Sequence, residues 1–154
     1  MARTTIQDSG WQEIRRKLKQ IEASEIEVGI LGESALETDG SDFRLVDVAI
    51  VNEFGTEDGH IPERPAHRQT YDAKQSEIQA KCSAAVHRAI APGGNPQREL
   101  NRVGLWYSGE LKKTIITYSD PPNAPATIAK KGDDNPLIDT HRMLESIHHK
   151  IKRR

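Results

Sequence analysis

Residues 52–68 read Asn52-Glu53-Phe54-Gly55-Thr56-Glu57-Asp58-Gly59-His60-Ile61-Pro62-Glu63-Arg64-Pro65-Ala66-His67-Arg68, and the rest of the chain is laid out around them. Upstream, Val46, Ala49, Ile50 and Phe54 recur at helical spacing, which predicts a short helix from Arg44 to Phe54. Gly55 follows the last apolar residue, where a helix commonly passes into left-handed backbone. Pro62 and Pro65 fix their own φ and push the preceding residue out of the helical region, so residues 60–64 should run extended. Pro65 fits the first turn of a following helix, where its missing N–H costs nothing. Glu53 stands close in sequence to Arg64 and Arg68, which predicts a carboxylate–guanidinium clamp across the loop. Phe54 and Ile61 form a hydrophobic plug beside it. No catalytic arrangement is visible here, and a stiff loop with an apolar plug suits docking better than chemistry. The plainer alternative is an ordinary helix–helix connection.

The longest predicted helix follows, from Pro65 to Ile90. Tyr71, Ile78, Cys82, Val86 and Ile90 make its apolar seam, with Ala85 and Ala89 alongside. That places Cys82 in the seam as a small buried hydrophobe, and His67 and His87 on the surface. The run Ala91-Pro92-Gly93-Gly94-Asn95-Pro96 ends this helix. A further helix from Gln97 to Ile116 carries Leu100, Val103, Tyr107, Leu111 and Ile115 on one face. Gly104 and Gly109 mark a break in it or a close contact.

On the other side of the anchor, Glu25–Leu31 alternates strictly at Ile26, Val28 and Ile30, the clearest strand of the chain. Ser9 can cap a helix from Gly10 to Glu22 with Trp11, Ile14, Leu18 and Ile21 on one stripe. Arg15, Arg16, Lys17 and Lys19 fall off that stripe, on a solvated face or a nucleic-acid contact. Residues 1–8 read as a flexible arm and residues 32–42 as a flexible polar loop. Residues 118–136 hold four prolines and read as an extended loop with Lys130 and Lys131 at its tip, a length of irregular chain that is usually functional. Order resumes over Leu137–Ile147, where Asp139 or Thr140 can cap a short helix. Residues Ser146–Lys152 alternate as a last strand, which sends His148 and His149 to opposite faces.

The 154 residues are enough for one domain, and a single domain over 1–154 is expected. At 35% hydrophobic and 29% charged, the core should be modest, with arms and loops that order against partners. A formal net charge of −1 gives no bulk signal for nucleic acid. The single cysteine excludes an intramolecular disulfide and a cysteine zinc site, and the N-terminus lacks the apolar stretch of a signal peptide. With no run of membrane-spanning length, the chain is expected to be made soluble inside the cell. The six histidines form no metal-binding pair, and there is no nucleophile elbow or local Cys/His signature. The reading is of a protein that is not an enzyme and takes no cofactor.

The block Asn52-Glu53-Phe54-Gly55-Thr56, followed by Ile61-Pro62-Glu63-Arg64-Pro65 and Arg68, resembles the small neck or tail-completion proteins of long-tailed bacteriophages. These are also described as tail components or virion morphogenesis proteins. The resemblance continues in order through Val28-Gly29-Ile30 upstream, then Thr127-Ile128, Lys130-Lys131-Gly132, Pro136-Leu137-Ile138-Asp139-Thr140, Arg142-Met143-Leu144 and Ser146-Ile147. Two positions depart from the family pattern. Ala66 stands where an aromatic is usual, which alters the plug under the loop, and His141 stands where glycine is usual, which reshapes the turn.

What the resemblance implies is an α+β fold: a small, mostly antiparallel sheet packed with two or three helices, with long loop excursions, related to tail-terminator and tail-tube proteins. It implies a structural virion protein at the head–tail junction that completes the tail or joins it to the head, present in host cytoplasm during assembly. Implied partners are copies of itself in a ring, other neck, connector and tail-tube or terminator proteins, and non-specific contact with packaged DNA, but no membrane. A tail terminator capping the tube is the nearest alternative. A small nucleic-acid-binding protein using residues 13–19 and 150–154 is the alternative of another class. The interaction residues expected are Asn52, Glu53, Phe54, Gly55, Ile61, Pro62, Arg64, Pro65, Arg68, Lys130, Lys131, Leu137, Asp139, Thr140 and Arg142.

Overall fold

Two long helices and a two-stranded sheet make the frame of an α+β molecule. The structure, a computed structural model, describes residues 9–38, 43–138 and 141–154. In chain order the elements are α1 (Ser9–Glu22), β1 (Ser24–Ile30), a 3-10 turn (Gly32–Leu36), α2 (Leu45–Phe54), α3 (Ala66–Ile90), α4 (Pro96–Ile116), α5 (Pro125–Lys131), α6 (Arg142–Glu145) and β2 (Ile147–Arg153). Among the described residues no helix is long and apolar enough to cross a membrane.

The strands pair antiparallel, with Ser24 opposite Arg153, Ile26 opposite Ile151, Val28 opposite His149 and Ile30 opposite Ile147. Period-two alternation therefore puts Ile26, Val28 and Ile30 on one face with Ile147, His149 and Ile151, and this face lies on α4. The other face is polar, and Lys152 and Arg154 reach Glu27 and Glu25 at 3.2 and 3.3 Å. Helices α3 and α4 run antiparallel, since Lys74 meets Glu110 at one end and Arg88 meets Glu99 at the other. The core lies between α4, β2 and the segment after α5. It consists of Ala66, Leu111, Ile115, Leu137, Ile138 and Ile147, with Ile30, Tyr118, Met143 and Leu144 packed against it.

Gly104 explains how close α4 comes to the sheet. A Cβ there would lie 2.5 Å from the His149 ring. The glycine marks a close contact, with the strand as the neighbour and no break in the helix. At the start of α4 the Asn95 side chain accepts from the Arg98 N–H at 3.1 Å, and Pro96 occupies the first turn.

Several expectations are corrected. Lys17, expected on a solvated face, is buried with 3% exposure, while Trp11 is 55% exposed. The reason is a capping contact: Lys17 Nζ donates to the Ala91 carbonyl at 3.0 Å, at the end of α3 where carbonyls lack helical partners. Cys82 is exposed and Tyr71 is 53% exposed, so the expected seam of α3 is not its buried face. The buried residues of α3 are Ala66, Thr70, Ala85 and Ala89, small side chains that let α3 and α4 approach closely. The excursion 118–136 is not structureless, because it contains α5 and is tied down by Asn135. That side chain donates to the Ile115 and Ile116 carbonyls and accepts from the Leu137 and Ile138 N–H groups. Residues 32–36 form the 3-10 turn and Thr38 bridges Arg44, so part of the expected flexible loop is ordered. The arm 1–8 lies outside the described residues.

Candidate docking loop

The loop joining α2 to α3 is built from within. Gly55 ends α2 with φ 69° and ψ −172°, a region that is essentially glycine-only. This is not the ordinary left-handed position expected there. A Cβ on Gly55 would sit 2.9 Å from the Ile61 carbonyl and 3.0 Å from the Glu63 nitrogen. The Thr56 N–H donates to the Ile61 carbonyl at 3.0 Å, and the Ile61 N–H returns to the Thr56 hydroxyl at 2.9 Å. Asp58 accepts from the same hydroxyl at 2.6 Å and from the His60 N–H at 3.0 Å. These bonds, the Thr56 hydroxyl first, hold its carboxyl below the usual carboxylate range. The Arg64 N–H donates to the Asn52 carbonyl at 2.7 Å, closing the loop at its base.

Glu53 is the centre of the arrangement. Helix α3 begins after Pro65, which is its N-cap and not its first helical residue, and proline supplies no capping side chain. Glu53, 8% exposed, takes over that role from another helix. Its carboxylate accepts the backbone N–H groups of His67 at 2.9 Å and Arg68 at 3.0 Å, two of the donors a helix start leaves unpaired. Arg68 adds its side chain, with Nε on the Glu53 carboxylate at 3.3 Å and Nη2 on the Glu53 carbonyl at 2.8 Å, and it also pairs with Glu63. The clamp thus forms with Arg68 but not with Arg64. Arg64 is buried and donates instead to the carbonyls of Pro121 at 3.1 Å and Pro122 at 3.0 Å, pinning the start of the 118–136 excursion under the loop. Burial pulls its guanidinium below its ordinary pKa. Burial also lowers the pKa of His67, against a smaller opposing pull from Glu53.

The plug is exposed. Phe54 is 65% exposed with the Arg68 guanidinium 5.3 Å above its ring, and Ile61 is half-buried. Ile50 of the same helix is 51% exposed, and Leu36 and Phe43, which sequence reasoning did not single out, are exposed as well. The apolar residues of α2 occur all round its axis, yet only Leu45 among them is buried. Val28, Leu31, Val46, Ala49, Ile50 and Phe54 line a hollow of about 260 Å³ between α2 and the end of β1. The signal for this patch was present as the unbroken apolar run Val48-Ala49-Ile50-Val51, which leaves α2 no polar face.

The remaining site residues are dispersed. Leu137 belongs to the core, not to a surface. Lys131 is drawn onto the Asn135 carbonyl, while Lys130 at the tip of α5 is exposed. Arg142 reaches Glu37 at 3.6 Å. Asp139 and Thr140 lie outside the described residues. His141 keeps the turn before α6 in left-handed backbone, φ 63° and ψ −8°, a conformation that favours glycine. Ala66 is buried, and the void beside it measures only about 10 Å³. No family model, curated protein or solved structure matches this chain.

Proposed function

We propose that this chain is a structural protein of a tailed-phage virion. It acts at the head–tail junction, where copies of it dock side by side in a ring and make the tail competent to join the head. The observation that carries this reading is α2. A helix whose apolar residues are spread all round its axis is normally covered, and here Ile50 and Phe54 are 51% and 65% exposed beside a rigid loop, with Val46 next to them only half-buried. A monomer has no use for such an arrangement, whereas a subunit that meets a neighbour in assembly does. The Asn-Glu-Phe-Gly and Ile-Pro-Glu-Arg-Pro blocks form this same loop, so the motif resemblance and the uncovered surface point to one place. Head-to-tail contacts that close by rotation give a ring.

The test is electron microscopy of a lysate from phage carrying an early stop codon in this gene. DNA-filled heads beside separate tails of normal length are expected. Overlong tails would replace this reading with that of a tail terminator, and intact infectious particles would overturn both.

A further inference from the structure

Far from the docking loop, at the junction of α3 and α4, Glu99 sits 1% exposed among three arginines. Arg88 Nε donates to it at 2.7 Å, Arg98 Nε at 3.2 Å, and Arg102 Nη1 to both carboxylate oxygens at 3.1 Å. Three cations thus share one anion. Each guanidinium carries five N–H donors and spends those of one nitrogen on Glu99. The arginine side chains remain 49%, 58% and 58% exposed, with their other donors turned to solvent. Glu99 therefore orients a fan of guanidinium groups and neutralises only part of it. Arg98 and Arg102 open onto a hollow of about 590 Å³ floored by Asn101, Gln97 and His149, with His149 held on Asn101 at 3.2 Å.

The surroundings amplify the charge. Lys17 ties α1 to this end of α3, and Ser24 pairs with Arg153 at the same end of the sheet. The residues of this end, 9–27, 78–105 and 148–154, carry twelve Lys and Arg against five Asp and Glu. The other described residues carry nine against fourteen. The formal charge of −1 thus conceals an excess of seven positive charges at one end. Arg15, Lys19, Lys150 and Arg153 at that end form no ion pair with a carboxylate among the described residues, so much of the field there is not cancelled locally.

We propose that the Arg88–Arg98–Arg102 fan and the hollow beside it bind the phosphodiester backbone of nucleic acid without reading its sequence. Free guanidinium forks suit phosphate oxygens, and the side-chain amides of Gln97 and Asn101 supply further donors. The acidic opposite end orients the molecule by repelling the same polyanion. This site is separate from the docking loop and stands without it.

The experiment is fluorescence anisotropy of a labelled DNA duplex titrated with the full chain at rising salt. Binding at low salt is expected, with a log–log salt slope of about −2 to −3 for three phosphate contacts. Arg98→Gln with Arg102→Gln should weaken it at least about tenfold and flatten the slope by about 2. Arg98→Lys with Arg102→Lys keeps the charge and should retain most of the binding, which separates lost contacts from a lost fold. Circular dichroism of each variant checks the fold directly. Absence of duplex binding at low salt would overturn the proposal, as would equal binding by the glutamine variant. Inorganic phosphate binding with no duplex binding would reduce the site to a small-anion pocket and also overturn it. Self-association that the glutamine variant abolishes, with no duplex bound, would assign the fan to the acidic end of a second copy instead.

Discussion

At the scale of single residues, Glu53 has the most consequences. It caps α3 from α2, so removing its side chain leaves two helix-start N–H groups without their acceptor and takes one of its partners from Arg68, which keeps Glu63 and the residue 53 carbonyl. Glu53→Ala should cost about 1–3 kcal/mol in chemical denaturation. Glu53→Gln keeps one acceptor oxygen and should cost less. No loss in either variant would mean that the cap does not stabilise the fold, and equal losses would assign its effect to the carboxylate charge. His141 works in the opposite direction. A side chain in left-handed backbone costs roughly 1–2 kcal/mol, part of which glycine gives back through its freer unfolded chain. His141→Gly should therefore stabilise by about 0.5–1 kcal/mol, and a destabilised variant would show that the imidazole makes a compensating contact. His67 supplies a pH dependence. Its pKa in the fold lies below the usual histidine value of 6.5 because burial disfavours the charged ring. The unfolded chain then takes up the proton first as pH falls, so this residue's contribution is full above pH 6.5 and is lost below it. Denaturation midpoints followed from neutral to mildly acidic pH should fall less steeply in His67→Gln than in the wild type, and parallel curves would contradict this.

At the scale of elements, the approach of α4 to β2 rests on the missing side chain of Gly104. Gly104→Ala places a methyl group into the His149 ring and should destabilise by about 1–3 kcal/mol through overpacking, measured as a lowered denaturation midpoint. An unchanged midpoint would show that the ring swings aside freely. The elements themselves were legible because local signals agreed. Ile26, Val28 and Ile30 alternate, the run from Ala91 to Pro96 parts two helices, and Gly55 ends one. The inward face of α4 was legible too, at Val103, Leu111 and Ile115, and what stayed hidden was which side of α1 and α3 faces inward. The seam of α3 looked like Tyr71, Ile78 and Cys82 because they are larger and more apolar, but tight packing selected Ala85 and Ala89. Lys17 looked solvated because its partner, the Ala91 carbonyl, is remote in sequence. In α4, Glu99 falls four residues before Val103 on the buried stripe. A carboxylate at such a position is the sequence signal of a buried charge with cationic partners, and Arg98 and Arg102 stand within three residues of it. In the docking loop the Glu53–Arg68 pair was readable from spacing. The destination of Arg64 was not, because proline carbonyls carry no sequence signature as acceptors.

At the scale of the whole molecule, the two uncommitted surfaces lie at opposite ends of the α3–α4 pair. The loop and α2 stand at the start of α3, and the arginine fan stands where α3 hands over to α4. A helix of 25 residues is roughly 37 Å long, so the two surfaces can be occupied at once without interfering. The arrangement suits a subunit that holds its neighbours at one end and meets a polyanion at the other. The proline-stiffened loop gives the assembly claim its sharpest test, because Pro62 is exposed and its ring stabilises the loop by less than about 1 kcal/mol.

The deciding measurement is plaque formation by the stop-codon phage when this protein is supplied in trans as wild type, as Pro62→Gly, or as Ile50→Asn with Phe54→Ser. All three proteins should show the same circular dichroism spectrum and denaturation midpoints within about 1 kcal/mol of one another, since the substituted side chains are exposed. The account predicts full rescue by the wild type, reduced rescue by Pro62→Gly and none by the double variant. Full rescue by a folded double variant would contradict it.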